Sequence, residues 1–180
     1  MPDNDHLYHI TFQSLATAAT VDFFPVILNQ YNDVYNIATN ADPVFGRADP
    51  IYTYQNTSRL ITVGFTWTPG KDSDKLAEAQ KMKDLIKMSY PSYKNRTLQS
   101  PPLVHINIYT FFNGVAYLEN VNFELLDPSG GSNILEVSAN KDALLPKKYK
   151  LSLSIKPIHD EVLGHDEQGA WIGGGDFPFK

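Results

Sequence analysis

The sequence predicts an α+β fold: an antiparallel β-sandwich or barrel-like sheet with one flanking α-helix, about residues 73–88, and a long hairpin. Three observations predict it. Two runs alternate apolar and polar residues with period two, namely Ile61, Val63, Phe65 and Trp67 against Thr62, Gly64, Thr66 and Thr68, and Tyr149, Leu151, Leu153 and Ile155 against Lys150, Ser152, Ser154 and Lys156. Asn113-Gly114 stands between two further alternating runs, the short-range signal of a hairpin turn. One segment alone carries a helical apolar stripe.

Each element follows in chain order. Tyr8, Ile10 and Phe12 alternate at the start, and residues 23–28 and 34–37 are apolar segments interrupted by Asn and Asp. The stretch FGRADPIYTYQNTSR at 45–59 leads into the strand of Ile61 to Trp67; Gly46 permits a turn, and Asp49 before Pro50 favours extended backbone. Burying the four apolar side chains of that strand contributes roughly 1.5–3 kcal/mol each before entropy, which fixes its register. Pro69-Gly70 ends it. Asp72, Ser73 and Asp74 then offer N-cap oxygens to a helix with Leu76, Ala79, Met82, Leu85 and Ile86 on one face. Acids early and lysines late, at Lys81, Lys83 and Lys87, suit the macrodipole, and Tyr90-Pro91 stops the helix. Beyond it, Val104, Ile106, Ile108 and Phe112 lead to the Asn-Gly turn, with Val115, Tyr117, Val121, Phe123 and Leu125 on the return. A turn over 127–131, a short strand at 134–139 and the strand of Tyr149 to Ile155 complete the chain.

The 180 residues predict one domain, 1–180, and a composition of 42% hydrophobic and 19% charged residues is that of a folded chain. The acidic start MPDNDHLYHITF lacks the basic flank of a secretory signal, and no apolar run reaches a membrane span. A net charge of −5 argues against wrapping a phosphate backbone; the lysines at 147, 148 and 150, and those along 81–87, read as solvated faces. No cysteine is present, which excludes disulfides, thiolate metal sites and thiol nucleophiles.

The best metal candidate pairs His159-Asp160-Glu161 with His165-Asp166-Glu167. No helical spacing puts the two histidines on one face and Gly164 indicates a loop, so the segment reads as a charged surface turn and no metal or cofactor is expected. His105 falls on the polar parity of its strand, as an exposed or interface histidine. The chain has no HExxH, GxSxG or phosphate-cradling motif, and Gly173-Gly174-Gly175 reads as flexibility near the end. The sequons at Asn56 and Asn95 read as chance matches without a signal peptide. No enzymatic activity is expected.

The order of these elements carries a resemblance over about residues 40–180. VFGRADPI leads through TYQNTSR into LITVGFTW; Pro-Gly, the helix, Tyr90-Pro91-Ser92-Tyr93 and PPLVHI follow, and YKLSLSIKPIHDE and GDFPF close the chain. In this order the sequence resembles the tail tube initiators, the tube-forming baseplate proteins of contractile-tailed bacteriophages. The resemblance implies a tail-tube fold assembled as a six-fold ring, with a long hairpin reaching neighbouring subunits. Such a ring joins the hub and spike to the tail tube, initiates tube polymerisation and lines the DNA channel in the virion, after assembly in the host cytoplasm. It also implies that DNA passes without specific binding and that no membrane is involved. Exposed polar strand faces and a domain without an evident pocket are compatible with edge-to-edge pairing between copies. An acidic bore would repel phosphate and let DNA slide. Arg47, Asp49 and Arg59 are then the candidate subunit-interface residues, either arginine pairing with Asp49 or with a neighbour. The alternatives are a major tube protein or tube terminator of the same machinery, and, from another class, a small-molecule-binding β-barrel or a cell-wall hydrolase.

Overall fold

The computed structural model describes residues 8–68, 72–126, 134–136, 144–146, 148–175 and 177–178. The elements are β1 (Tyr8–Ser14), β2 (Thr20–Asp42), β3 (Ile51–Trp67), α1 (Asp72–Met88), β4 (Ser92–Lys94), β5 (Thr97–Ser100), β6 (Leu103–Ile108), β7 (Phe112–Leu126), β8 (Ile134–Glu136), β9 (Leu144–Pro146) and β10 (Lys148–Ile158). Six strands close into a barrel in the order β1-β2-β3-β10-β7-β6, every neighbour antiparallel, while β4–β5 and β8–β9 form two separate hairpins. The α+β class with one helix beside a barrel-like sheet is therefore the observed one. Of the expected features, the Pro69-Gly70 stop, the 127–131 turn, the 137–139 part of the short strand and the cap side chains at 72–74 lie outside the described residues.

The period-two pattern sets the core. Ile61, Val63, Phe65 and Trp67 point inward from β3, and Tyr149, Leu151, Leu153 and Ile155 from β10, all buried. At one end an aromatic group fills the barrel: Trp67 stacks on Tyr149 at 5.0 Å between centroids and meets Phe23 edge-on at 4.9 Å. Such pairs contribute about 0.5–1.5 kcal/mol beyond their buried area.

The helix face is rotated from the expected one. Met82, Leu85 and Met88 are buried, whereas Ile86 is 43% exposed. The buried stripe runs along 78, 82, 85 and 88 because the indole Nε1–H of Trp67 donates to Glu78 Oε2 at 3.1 Å. A buried Trp needs an acceptor, and Glu78 supplies it from the helix.

The β6–β7 hairpin forms, but its turn is not at Asn113-Gly114. Ile108 pairs with Phe112, Asn107 with Asn113 and Ile106 with Gly114, and the chain reverses through residues 109–111, where Tyr109 takes a φ of 46°. Packing of the aromatic side chains overrides the local turn preference: Phe111 rests on Tyr31 at 5.0 Å, and Phe112 is buried. Gly114 serves close approach instead, since a Cβ there would stand 3.3 Å from the Phe112 ring. The return strand is also rephased. Ala116 is buried and Tyr117 exposed, opposite to expectation. An extra residue at Glu119, between the pairs Ser154↔Asn120 and Ile155↔Leu118, then turns Val121 back toward the core.

The two apolar segments at 23–28 and 34–37 belong to one 23-residue strand, β2. Its outer half pairs with the outer half of β3 from Asp33↔Ile61 to Asp42↔Ile51. β10 follows β3 only as far as Ile61, and β1 follows β2 only as far as Val26. Beyond those points the two strands have only each other in the sheet, and they leave the barrel as a two-stranded arm. Its tip is a turn in which Arg47 N–H donates to Val44 O at 3.2 Å, with Gly46 at a φ of 82°, a region open to glycine without cost.

Candidate functional site

The arm has two chemically different faces. Directly opposed residues of an antiparallel pair share a face. One face carries Tyr35/Arg59, Ile37/Thr57, Thr39/Tyr54 and Ala41/Tyr52; the other carries Asn36/Ser58, Ala38/Asn56, Asn40/Thr53 and Asp42/Ile51. The first face continues the row that fills the barrel, because Arg59 follows Ile61, Val63 and Phe65 on the same side of β3. Strict alternation would put Tyr52 and Tyr54 on the opposite side from Arg59. The register shift at Gln55, where Ala38 opposes Asn56 and Thr39 opposes Tyr54, brings them onto this face. Ile37 is 69% exposed, and Tyr52 and Tyr54 are each 66% exposed. An aromatic and aliphatic strip thus runs out of the core into solvent.

Where the strip leaves the barrel, a buried charge pair closes the core. Arg59 Nε–H donates to Asp33 Oδ1 at 3.0 Å and Nη2–H to Asp33 Oδ2 at 2.6 Å, and the two side chains are only 5% and 10% exposed. The guanidinium carbon also lies 5.3 Å from the Tyr35 ring centre, 5.6 Å from Phe112 and 5.4 Å from Phe177. Burial works to lower the Arg59 pKa, but the Asp33 hydrogen bonds and charge reverse this and raise it. Burial pushes the Tyr35 phenol up to about 12, so it stays neutral and donates to Asp33 Oδ2.

The chain after β10 folds back over this pair. Arg59 Nη2–H donates to the carbonyl of Pro178 at 3.0 Å, and Phe177 meets Tyr35 edge-on at 6.1 Å. Residues 159–175 and 177–178 make contacts among themselves. Asp166 Oδ1 accepts from the backbone N–H groups of Gln168 and Ala170, and Trp171 stacks on Phe177 at 5.5 Å. Gly173 lies beneath that indole, where no side chain fits: a Cβ there would lie 2.5 Å from Trp171 Cζ2. Between this strap and the ends of β7 and β10 is a cavity of about 250 Å³, reached by Arg59, Asn113, His159, Asp160 and Glu161. The expectation of a domain without an evident pocket is corrected accordingly. The cavity forms because the strap packs on the barrel rim by a few large rings and leaves space between them.

The sequence-predicted residues divide between these places. Arg47 and Asp49 stand exposed at the tip of the arm. Arg59 lies at its root and pairs with Asp33 rather than Asp49. The reason is register, since Arg59 sits opposite Tyr35 beside Asp33, whereas Asp49 is in the tip loop. Asp33, Tyr35 and Phe177 were missed; the signal for the first was an acid at an inward position of an otherwise apolar row.

His159 and His165 do not converge. His159 meets Phe177 edge-on, and His165 meets Trp171 edge-on. Among the described residues no three His, Asp or Glu side chains gather where they could hold a metal. Partial burial beside Phe177 lowers the His159 pKa, and the Arg59 charge adds to it, over the opposing Asp33 and Asp160. A lowered folded pKa means stabilisation that is present above the ordinary value and lost on acidification. We expect His159 to titrate below about 6.5 by NMR, and His159→Asn to lessen the fall in melting temperature as the pH drops below that value. An unshifted titration would contradict this packing.

No family model and no curated protein matches the chain. Among solved structures it is similar to a chain of the six-fold symmetrised cryo-EM structure of the anti-feeding prophage baseplate, at 8% identity and a TM-score of 0.39, over 88% of this chain and 93% of that one. A likeness so distant carries no function across.

Proposed function

We propose that the chain is a structural subunit of a contractile tail, a non-enzymatic component that assembles with copies of itself into a ring joining the baseplate hub to the tail tube. The observation that carries this reading is the arm, whose apolar strip beyond Tyr35, at Ile37, Tyr52 and Tyr54, stands exposed among the described residues. Contiguous apolar surface of this kind marks a contact with another macromolecule. The order of sequence elements from VFGRADPI to the closing GDFPF supports the same reading. In the assembled ring the apolar face lies against a neighbouring copy, and Arg47 and Asp49 at the tip reach that neighbour. The subunit initiates tube polymerisation, and DNA passes through the bore without specific binding. It works in the virion after assembly in the host cytoplasm.

Electron microscopy and mass measurement of the purified protein, alone and with hub and tube proteins, test this. Rings, or incorporation into a tail assembly, are expected. A strictly monomeric species that joins no assembly would overturn the reading.

A further inference from the structure

We propose that residues 159–178 are a releasable strap that covers the root of the arm's apolar face and holds back association with a second copy of this chain. The inference rests on the self-assembly reading above. Three observations lead to it. The strap is internally complete, since the Asp166 turn, the Trp171–Phe177 stack and the Gly173 contact all lie within it. It could therefore move as a unit.

The seat is narrow. Among the described residues the strap's hydrogen-bonded and aromatic contacts with the barrel and arm are the bond from Arg59 to the Pro178 carbonyl and the Phe177 contacts with Tyr35 and Arg59, beside a partly open cavity. Most of the strap's described residues are exposed, and a segment held by so few buried contacts belongs to the low-stability end of a fold, where local opening costs less than global unfolding. The position is the third observation. Phe177 covers Tyr35, the first residue of the strip that continues through Ile37 and Tyr54, so lifting it lengthens the exposed apolar face at its inner end and leaves the Arg59–Asp33 pair in place. A copy that takes up the arm thus competes with the strap for the same ring. The strap sets a concentration threshold: association must supply the free energy of lifting it before the full face is shared.

Two variants loosen the strap by different routes. Phe177→Ala removes the ring that fills the seat, and Trp171→Ala removes its stacking partner within the strap while leaving the seat intact. Proteolysis at Glu161 and Glu167 reads strap release, hydrogen exchange over β3 and β10 confirms an intact barrel, and sedimentation velocity over a concentration series reads association. In both variants cleavage is expected to accelerate at least tenfold with barrel exchange unchanged, and association to begin at a several-fold lower concentration than in the unaltered chain. Faster cleavage with an unchanged association threshold would overturn the strap inference and leave self-assembly standing. A raised threshold would also overturn it, by showing the strap to be part of the contact. Monomers throughout, in all three proteins, would overturn both.

Discussion

Arg59→Ala should destabilise the fold by about 3–5 kcal/mol, because it leaves the Asp33 carboxylate buried without its partner. That is a large share of the roughly 5–15 kcal/mol that holds a typical domain folded. Urea unfolding followed by the fluorescence of Trp67 and Trp171 measures it. The reciprocal change, Asp33→Ala, should cost a similar amount, since it strands a guanidinium among the Tyr35, Phe112 and Phe177 rings. Removing both charges together as Asp33→Leu/Arg59→Leu should recover most of the loss, as replacing a buried pair with apolar side chains often does. A loss under about 1 kcal/mol for the single changes would mean that the pair behaves as an exposed one and that the root of the arm is open to water. This outcome also separates the two roles of Arg59. It was expected as an interface residue, and any assembly defect in Arg59→Ala must be read against the folding defect that its burial predicts.

Ile37→Asp combined with Tyr54→Asp should abolish self-association while leaving the melting temperature within a few degrees of the unaltered chain. Both side chains point from the apolar face into solvent, and the described contacts they give up are exposed ones, the Tyr54 hydroxyl bond to Thr57 and the pairing of Ile37 with Thr57. Changes at exposed positions usually lie within about ±0.5 kcal/mol, and two carboxylates on a strip shared with another subunit would each face a desolvation cost several times larger. The control is Asn36→Asp with Asn40→Asp on the opposite face, which places the same charge on the polar side. Loss of rings in the first variant and their retention in the second, seen by electron microscopy, supports the face assignment. Equal loss in both would show that added charge on the arm, whichever its face, is what the assembly rejects.

The barrel was legible because each of its central strands hides one side. In β3 and β10 the parity of four consecutive apolar residues survives unbroken, and a one-residue slip would have exposed all of them. Three features escaped that logic, each for a physical reason. Extra residues at Gln55 and Glu119 reverse the parity, so Tyr52, Tyr54, Ala116 and Tyr117 face opposite to simple alternation. Local turn preference at Asn113-Gly114 was weaker than the packing of Phe111 and Phe112. The helix stripe was turned by a polar requirement, the indole of Trp67 seeking Glu78, which an apolar count does not register. The strap was the least legible part. Arg59 and Pro178 stand 119 residues apart, and no local pattern joins them. Sequence reading did single out the stretch at 45–59, but what gives it meaning is the strand it pairs with.

Closure of the barrel bears on how the chain behaves at high concentration. A sheet that returns to its first strand has no edge strand along its closed part, so another strand could add only where a strand runs past its neighbour. Unpaired backbone of that kind lies on β7 beyond Tyr117 and on the two small hairpins, as well as on the arm, where β2 and β3 run beyond their barrel partners. The same ribbon bears the aromatic strip, and the combination is the one that favours runaway stacking into amyloid-like fibres. Asn36, Asn40, Asp42 and Asn56 make its other face polar, and the Asp42 carboxylate places there a charge that opposes such stacking. Substitutions on this projecting ribbon are therefore expected to be felt first in storage and expression rather than in the melting temperature.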